Sequence, residues 1–337
     1  MPENVFRVDR QDEFGRAGPT DLIRLLPVEG TNPLFLPKSL LQVLVYSIAT
    51  HEMVHLSGPT GSAKTSLLEA LHLVPENFRI ICRSLGFAPR GLKVYPVQMA
   101  TYDAPGELYQ RRALKAGSTY DEKSGLVKAL LHAEQLDGQV YHLVWLREMG
   151  RVHSASVQGG LLDLMHPADI MLPDGESIDG RKIGWVADSN YQATTDAEHT
   201  LVPLDDALKR RFTVNLTLDY LSPAQEVDVL RHLVAEETLD EVEEELIVKV
   251  VHLGKAIRDR RAEGKLLSVA PPTIYGYLAF LRMAARVDQL DLQTVAASTM
   301  LGNASNEDSQ HIPSIFNEVF GLQQGTEEDP TKGGILF

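Results

Sequence analysis

The stretch Gly58-Pro59-Thr60-Gly61-Ser62-Ala63-Lys64-Thr65 holds the residue types that bind phosphate. The general pattern for such a loop is Gly, four residues, Gly-Lys, then Ser or Thr. Gly58, Lys64 and Thr65 fit it, and Ala63 stands where the last Gly belongs. The chemistry survives that change if the backbone at Ala63 is already helical. Loop N–H groups and the N-terminus of the following helix would then hold the phosphates of a nucleotide. Lys64 would reach the outer phosphates, and Thr65 would hold Mg²⁺. The competing explanation is a Gly-rich turn that only packs a strand on a helix. It ranks lower, because an apolar run (Met53 to Ser57) precedes the loop and an amphipathic run (Lys64 to Leu73) follows it.

Such a loop works only at the edge of a suitable sheet. Five short apolar runs read as buried parallel strands: MVHLS from Met53, LKVYPVQM from Leu92, YHLVWL from Tyr141, IGWVADS from Ile183 and FTVNL from Phe212. Helical stretches lie between them at Lys64 to Leu73, Leu126 to Gln135, Ser156 to Met165 and Asp205 to Arg211. Alternation of this kind predicts an α/β fold, a parallel sheet of about five strands flanked by helices. After Leu216 the strand signals stop. Ser222, Pro223 and Gln225 open a helix with a capping box, and three more helical runs follow, one closed by Gly264. The expected organisation is an N-terminal arm over 1–31, the nucleotide-binding α/β domain over 32–217, a small all-helical lid domain over 218–304 and a loosely ordered tail over 305–337.

Composition narrows the function classes. The chain has 337 residues, 44% of them apolar and 23% charged, as in a globular protein with a real core. The formal net charge of −14 argues against broad grip on nucleic acid, which needs a positive field. The acidic run Thr238 to Leu246 reads as the solvated face of a helix. Cys82 is the single cysteine, so an intramolecular disulfide is impossible. The histidines show no metal-ligand spacing. No run is apolar for the length of a bilayer, and the first residues are polar, so the expected location is cytoplasmic.

In its motifs the chain resembles the MoxR-type and dynein-related AAA+ ATPases, over roughly residues 32 to 300. GPTGSAKT is similar to their phosphate loop, in which Ala before the Lys is common. ELYQRRALKAGSTYDEKSGLVKAL, from Glu107, resembles the loop and helix near the ring's pore. LREMGRVHSASVQGGLLDLM, from Leu146, resembles the Walker B strand end and its helix. DIMLPDGESIDGRKIGWVADSNY, from Asp169, resembles the hairpin insertion leading into the sensor-1 strand, and PLDDALKRRF, from Pro203, the arginine-finger helix. The resemblance implies that Glu148 polarises the attacking water, that Asn190 orients it, and that Arg211, with Arg210 second, stabilises the transition state in a neighbouring subunit.

Two positions depart from that family pattern. Arg147 occupies the Walker B Asp position, which puts a permanent cation beside the Mg²⁺ site. It would either lie on the phosphates or swing away while another carboxylate or water completes the metal shell. Pro272 occupies the sensor-2 Arg position, and Arg282 and Arg286 lie further along the same helical run. The leading expectation is an ATP- and Mg²⁺-dependent ATPase that forms a homo-oligomeric ring, a hexamer by resemblance. It would remodel a protein client, such as a von Willebrand factor A domain protein, with no membrane partner. Turnover would be slow, and restoring a carboxylate at 147 would raise it. The alternatives are a non-hydrolysing ATP-binding scaffold or assembly switch and, third, a McrB-like NTPase that translocates nucleic acid, disfavoured by the charge.

Overall fold

A computed structural model describes residues 5–6, 22–115, 117–134, 140–151, 154–166, 168–190, 205–266, 268–286, 291–301 and 304–321. These fall into two compact units that divide after Tyr220.

The first unit is built on five parallel strands. They are β4 (Met53–Gly58), β5 (Gly91–Gln98), β8 (Val140–Arg147), β11 (Gly184–Asn190) and β12 (Val214–Thr217), in the spatial order β12-β4-β11-β8-β5. All five coincide with the apolar runs in the sequence, as a parallel sheet covered on both faces requires. One face carries Val54, Leu56, Leu143, Trp145 and Val186, packed with α1 (Lys38–Ala49), α2 (Lys64–Leu73) and α3 (Glu76–Leu85). The other carries Met53, Val144, Leu146, Trp185 and Ala187, packed with α4 (Gly125–Glu134) and α5 (Ala155–Leu164). Full burial of one such side chain stabilises by about 1.5–3 kcal/mol, so the double-sided core fixes the strand register firmly.

That topology creates the crevice. From β4 the chain runs through α2 and α3 to β5 at the far edge. From β11 it returns through α6 (Asp206–Arg211) to β12 on the other side of β4. Connections that leave in opposite directions open a cleft at the carboxyl ends of the strands between them, where α/β sheets bind ligands.

Ahead of the sheet, β1 (Val5–Phe6), β2 (Leu22–Leu25) and β3 (Leu34–Pro37) form a small antiparallel sheet, so part of the expected arm is structured. Two antiparallel hairpins also project. The first pairs β6 (Gln110–Lys115) with β7 (Ser118–Lys123), and the second pairs β9 (Asp169–Met171) with β10 (Ser177–Asp179). The second is the insertion expected before β11.

The second unit is helical: α7 (Pro223–Glu236), α8 (Glu244–Ala262), α9 (Ile274–Arg286), α10 (Leu292–Met300) and α11 (Asn306–Phe320). The Ser222–Gln225 capping box forms as the sequence predicts. Two local expectations need correction. Only the end of the acidic run is helical, because α8 begins at Glu244, and Glu244 pairs with Arg231. Residues 306–320, assigned to the loose tail, form α11. Ser305 caps it, and Ile312, Ile315 and Phe316 bury one face. Among the described residues no helix is long and apolar enough to cross a membrane.

Candidate functional site

The loop 58–63 joins β4 directly to α2, at the carboxyl edge of the sheet. Gly58 admits no side chain, since a Cβ there would overlap the carbonyl oxygen of Leu218. Gly61 has φ 80°, in the left-handed region that suits glycine. Pro59 is half-buried, Thr60 is exposed and Ser62 is buried. The Tyr220 hydroxyl donates to the Thr60 carbonyl at 2.6 Å and ties down the crown of the loop.

Ala63 corrects the sequence expectation. Its φ of 69° and ψ of 17° put it in the left-handed region, so the backbone is not yet helical there. The loop keeps the conformation that a glycine would adopt, and an L-residue holds it at a cost of about 1–2 kcal/mol.

Lys64 is buried and turned into its own loop. Its amine donates to the carbonyls of Gly58 at 2.9 Å and Pro59 at 2.6 Å, and lies 3.4 Å from the Ser62 hydroxyl. Burial pushes its pKa down to about 8, while the negative charge of Asp188 pulls the other way.

On the sheet side of α2, two polar links run in parallel. The Thr65 hydroxyl donates to Asp188 Oδ2 at 3.0 Å. One turn further along the same helix face, Glu69 accepts from Arg147 at 2.8 Å. Arg147 therefore swings away from the loop, and its guanidinium also lies 4.6 Å from the centre of the Trp145 ring. This was one of the two outcomes open on the sequence.

Asp188 was not singled out in the sequence reading. It is 3% exposed, on β11, and accepts three hydrogen bonds. The Trp145 indole donates to Oδ1 at 2.7 Å and the Glu148 backbone N–H at 3.2 Å, while Thr65 holds Oδ2. The available signal was a carboxylate inside the apolar run IGWVADS, since a buried Asp needs partners.

Glu148 follows the end of β8 with φ 52°, a strained value for a residue with a side chain. Gln98, also missed in the sequence, donates to its Oε2 at 3.2 Å, and Arg151 lies 3.5 Å from Oε1. Asn190 is the last residue of β11, in register with Gly58, and its side chain lies outside the described part. Thus the loop, Thr65, Glu148 and the Asn190 backbone meet at one sheet edge. Arg210 and Arg211 do not join them. They end α6, where Arg210 is exposed and near enough to Asp206 to interact with it electrostatically, and Arg211 is half-buried; neither side chain forms a hydrogen bond or ion pair among the described residues. In the helical unit, Pro272 is buried just ahead of α9, and Arg282 is bonded to Glu237.

The donor set suits a hard cation in one respect: a hydroxyl beside a buried carboxylate offers the oxygens that Mg²⁺ prefers. Among the described residues there is no cluster of three His, Cys, Asp or Glu side chains that could hold a metal alone. The histidines near the sheet have local partners: His55 meets the Ser189 hydroxyl at 2.7 Å and His142 the Tyr95 hydroxyl at 3.1 Å.

No family model matches the chain, and no curated protein does. Among solved structures the chain is similar to a mutant of RuvB from Thermotoga maritima. The two are 14% identical, 84% of this chain and 69% of that one are covered, and the TM-score is 0.41. For a second RuvB mutant from that organism the identity is 13%, the coverage 84% and 76%, and the TM-score 0.44. At these values the likeness says nothing of substrate, partner or assembly. The fold class follows from the chain's own geometry: a five-stranded parallel sheet of P-loop NTPase type, flanked by helices, with its phosphate-type loop between β4 and α2.

Proposed function

We propose that the chain binds ATP with Mg²⁺ and hydrolyses it, as a ring-forming AAA+ protein of MoxR or dynein-related type that remodels or activates a protein partner. The observation that carries nucleotide binding is the loop 58–65, set between strand and helix with Lys64 at its centre. The ring, hexameric by the sequence resemblance, and a client such as a von Willebrand factor A domain protein rest on that resemblance alone.

Each residue has a physical task in this reading. Loop N–H groups and the start of α2 face the phosphates. The Lys64 amine exchanges the carbonyls of Gly58 and Pro59 for phosphate oxygens. Mg²⁺, when bound, neutralises charge on the β- and γ-phosphate oxygens; Thr65 offers it a hydroxyl. Glu148, held by Gln98 and Arg151, polarises the attacking water, and Asn190 orients it. Arg211, helped by Arg210, serves the site of the next subunit.

Arg147 and Pro272 favour a second reading, in which ATP is bound as a structural ligand or assembly switch and never cleaved. One set of measurements separates the two. Calorimetry and steady-state phosphate release are followed for the parent chain, Lys64→Ala and Glu148→Gln. We expect Lys64→Ala to lose most ATP affinity, and Glu148→Gln to keep ATP while phosphate release stops. Unchanged affinity in Lys64→Ala would sink nucleotide binding at this loop. A parent chain that holds ATP without releasing phosphate, even with a partner present, would favour the scaffold.

A further inference from the structure

The structure assigns to Asp188, on β11, the place of metal-site carboxylate that a residue at the end of β8 would otherwise fill. This rests on the ATP–Mg²⁺ reading above and adds a residue to it.

The first argument is position. Asp188 Oδ2 accepts the proton of the Thr65 hydroxyl at 3.0 Å. With its proton so committed, the Thr65 oxygen keeps its lone pairs for a cation. The carboxylate and the hydroxyl therefore share one small volume at the start of α2, directly after the phosphate loop.

Charge gives the second. Asp188 is 3% exposed, and its three hydrogen-bond donors, the Trp145 indole, the Thr65 hydroxyl and the Glu148 N–H, are all neutral. Among the described residues it forms no ion pair. Neutral donors relieve desolvation and leave the negative charge in place, so a cation is its natural complement. The Lys64 amine senses that charge, yet it bonds to loop carbonyls.

The third argument is what Arg147 does. It ends β8, and an arginine aimed at the loop would repel a metal. Instead it is held by Glu69 at 2.8 Å and stacked on Trp145, one helical turn beyond Thr65. The cation at 147 is neutralised by α2, and the neighbouring strand presents the carboxylate. Mg²⁺ needs only one or two protein oxygens when phosphates and waters complete its shell. Trp145 and the Glu148 N–H fix the Asp188 rotamer, as the partners of metal ligands generally do.

A purely structural Asp188 would clamp α2, β8 and β11 through the same bonds, and the test must tell the two apart. A fluorescent ADP analogue is titrated into the full chain with excess chelator and again with Mg²⁺. Mn²⁺ bound in the presence of ADP is read by electron paramagnetic resonance. The variants are Asp188→Asn and Lys64→Ala, with thermal melting as the check on folding. Asp188→Asn removes a negative charge beside the loop, so it is expected to bind metal-free nucleotide at least as tightly as the parent. It should lose about tenfold or more of the Mg²⁺ enhancement, and its bound Mn²⁺ signal. If Asp188→Asn does not fold, Asp188→Ser enters the same assay with the same expectation. Full Mg²⁺ enhancement and an intact Mn²⁺ signal in a folded Asp188 variant would overturn the assignment and leave Asp188 a clamp. A parent chain that binds no nucleotide in either medium, and behaves like Lys64→Ala, would overturn the ATP reading and this assignment together.

Discussion

Lys64 and Ala63 give the loop two residue-scale tests, one of the proposed affinity and one of stability. Burial pushes the Lys64 pKa from its ordinary 10.5 down to about 8. Its charge is present below that pH and lost as pH rises through it. Phosphates favour the charged form and raise the pKa, so nucleotide binding takes up a proton above about pH 8. ATP affinity should therefore be flat in this group's contribution below about pH 8 and weaken above it, by up to about tenfold per pH unit. Titrations at about pH 7 and about pH 9 check this, and an affinity that rises with pH contradicts the Lys64 geometry. Ala63 offers a stability test. Relief of its left-handed backbone by Ala63→Gly is worth about 1–2 kcal/mol. The added freedom of glycine in the unfolded chain offsets about 0.4–1 kcal/mol of that. A net gain near about 1 kcal/mol, with nucleotide binding kept, should appear in a denaturant melt.

At the scale of elements, α2 is joined to the sheet by Thr65–Asp188 and Glu69–Arg147. This reverses the expectation that a carboxylate at 147 raises turnover. Arg147→Asp would strand Glu69 and add a negative charge near Asp188. We expect phosphate release to fall or stay level, with stability lower by about 1 kcal/mol or less, as for a half-exposed pair. A clear rise in rate would mean that β8 had lacked its metal carboxylate after all. The five strands and α2 were legible in the sequence, because buried parallel strands read as apolar runs and a helix shows its period. The loop was legible for the same reason, as local spacing. The Arg147–Glu69 and Asp188–Thr65 links were not, since each joins residues far apart in the chain, and only strand order brings β11 beside β4 and β8. The left-handed Ala63 escaped because alanine favours helices. Helix α11 escaped because its buried face needs partners in the folded helical unit.

At the scale of the whole molecule, assembly remains the test of the arginine reading. Arg211 ends α6 with no side-chain hydrogen bond or ion pair among the described residues, and the exposed Arg210 interacts electrostatically with Asp206 of the same helix. If Arg211 acts in trans, Arg211→Ala should leave nucleotide affinity of the single subunit unchanged within about twofold. ATP turnover by the assembly should fall by about 10³ or more. Calorimetry and phosphate release measure the two, and light scattering with ATP follows assembly. A parent chain that stays monomeric with ATP at high concentration would end the trans-acting model. The net charge of −14 sets the conditions, because repulsion between like-charged subunits weakens as added salt screens it.

Trp145 has a use of its own. The chain has two tryptophans, and this one gives its indole N–H to Asp188 while Arg147 lies on its ring. Any change in charge or hydration around that carboxylate alters the electric field across the indole. The protein thus carries a built-in optical reporter at the carboxyl end of its sheet, whose emission colour is expected to shift, without any attached dye, if a nucleotide or metal enters beside that carboxylate.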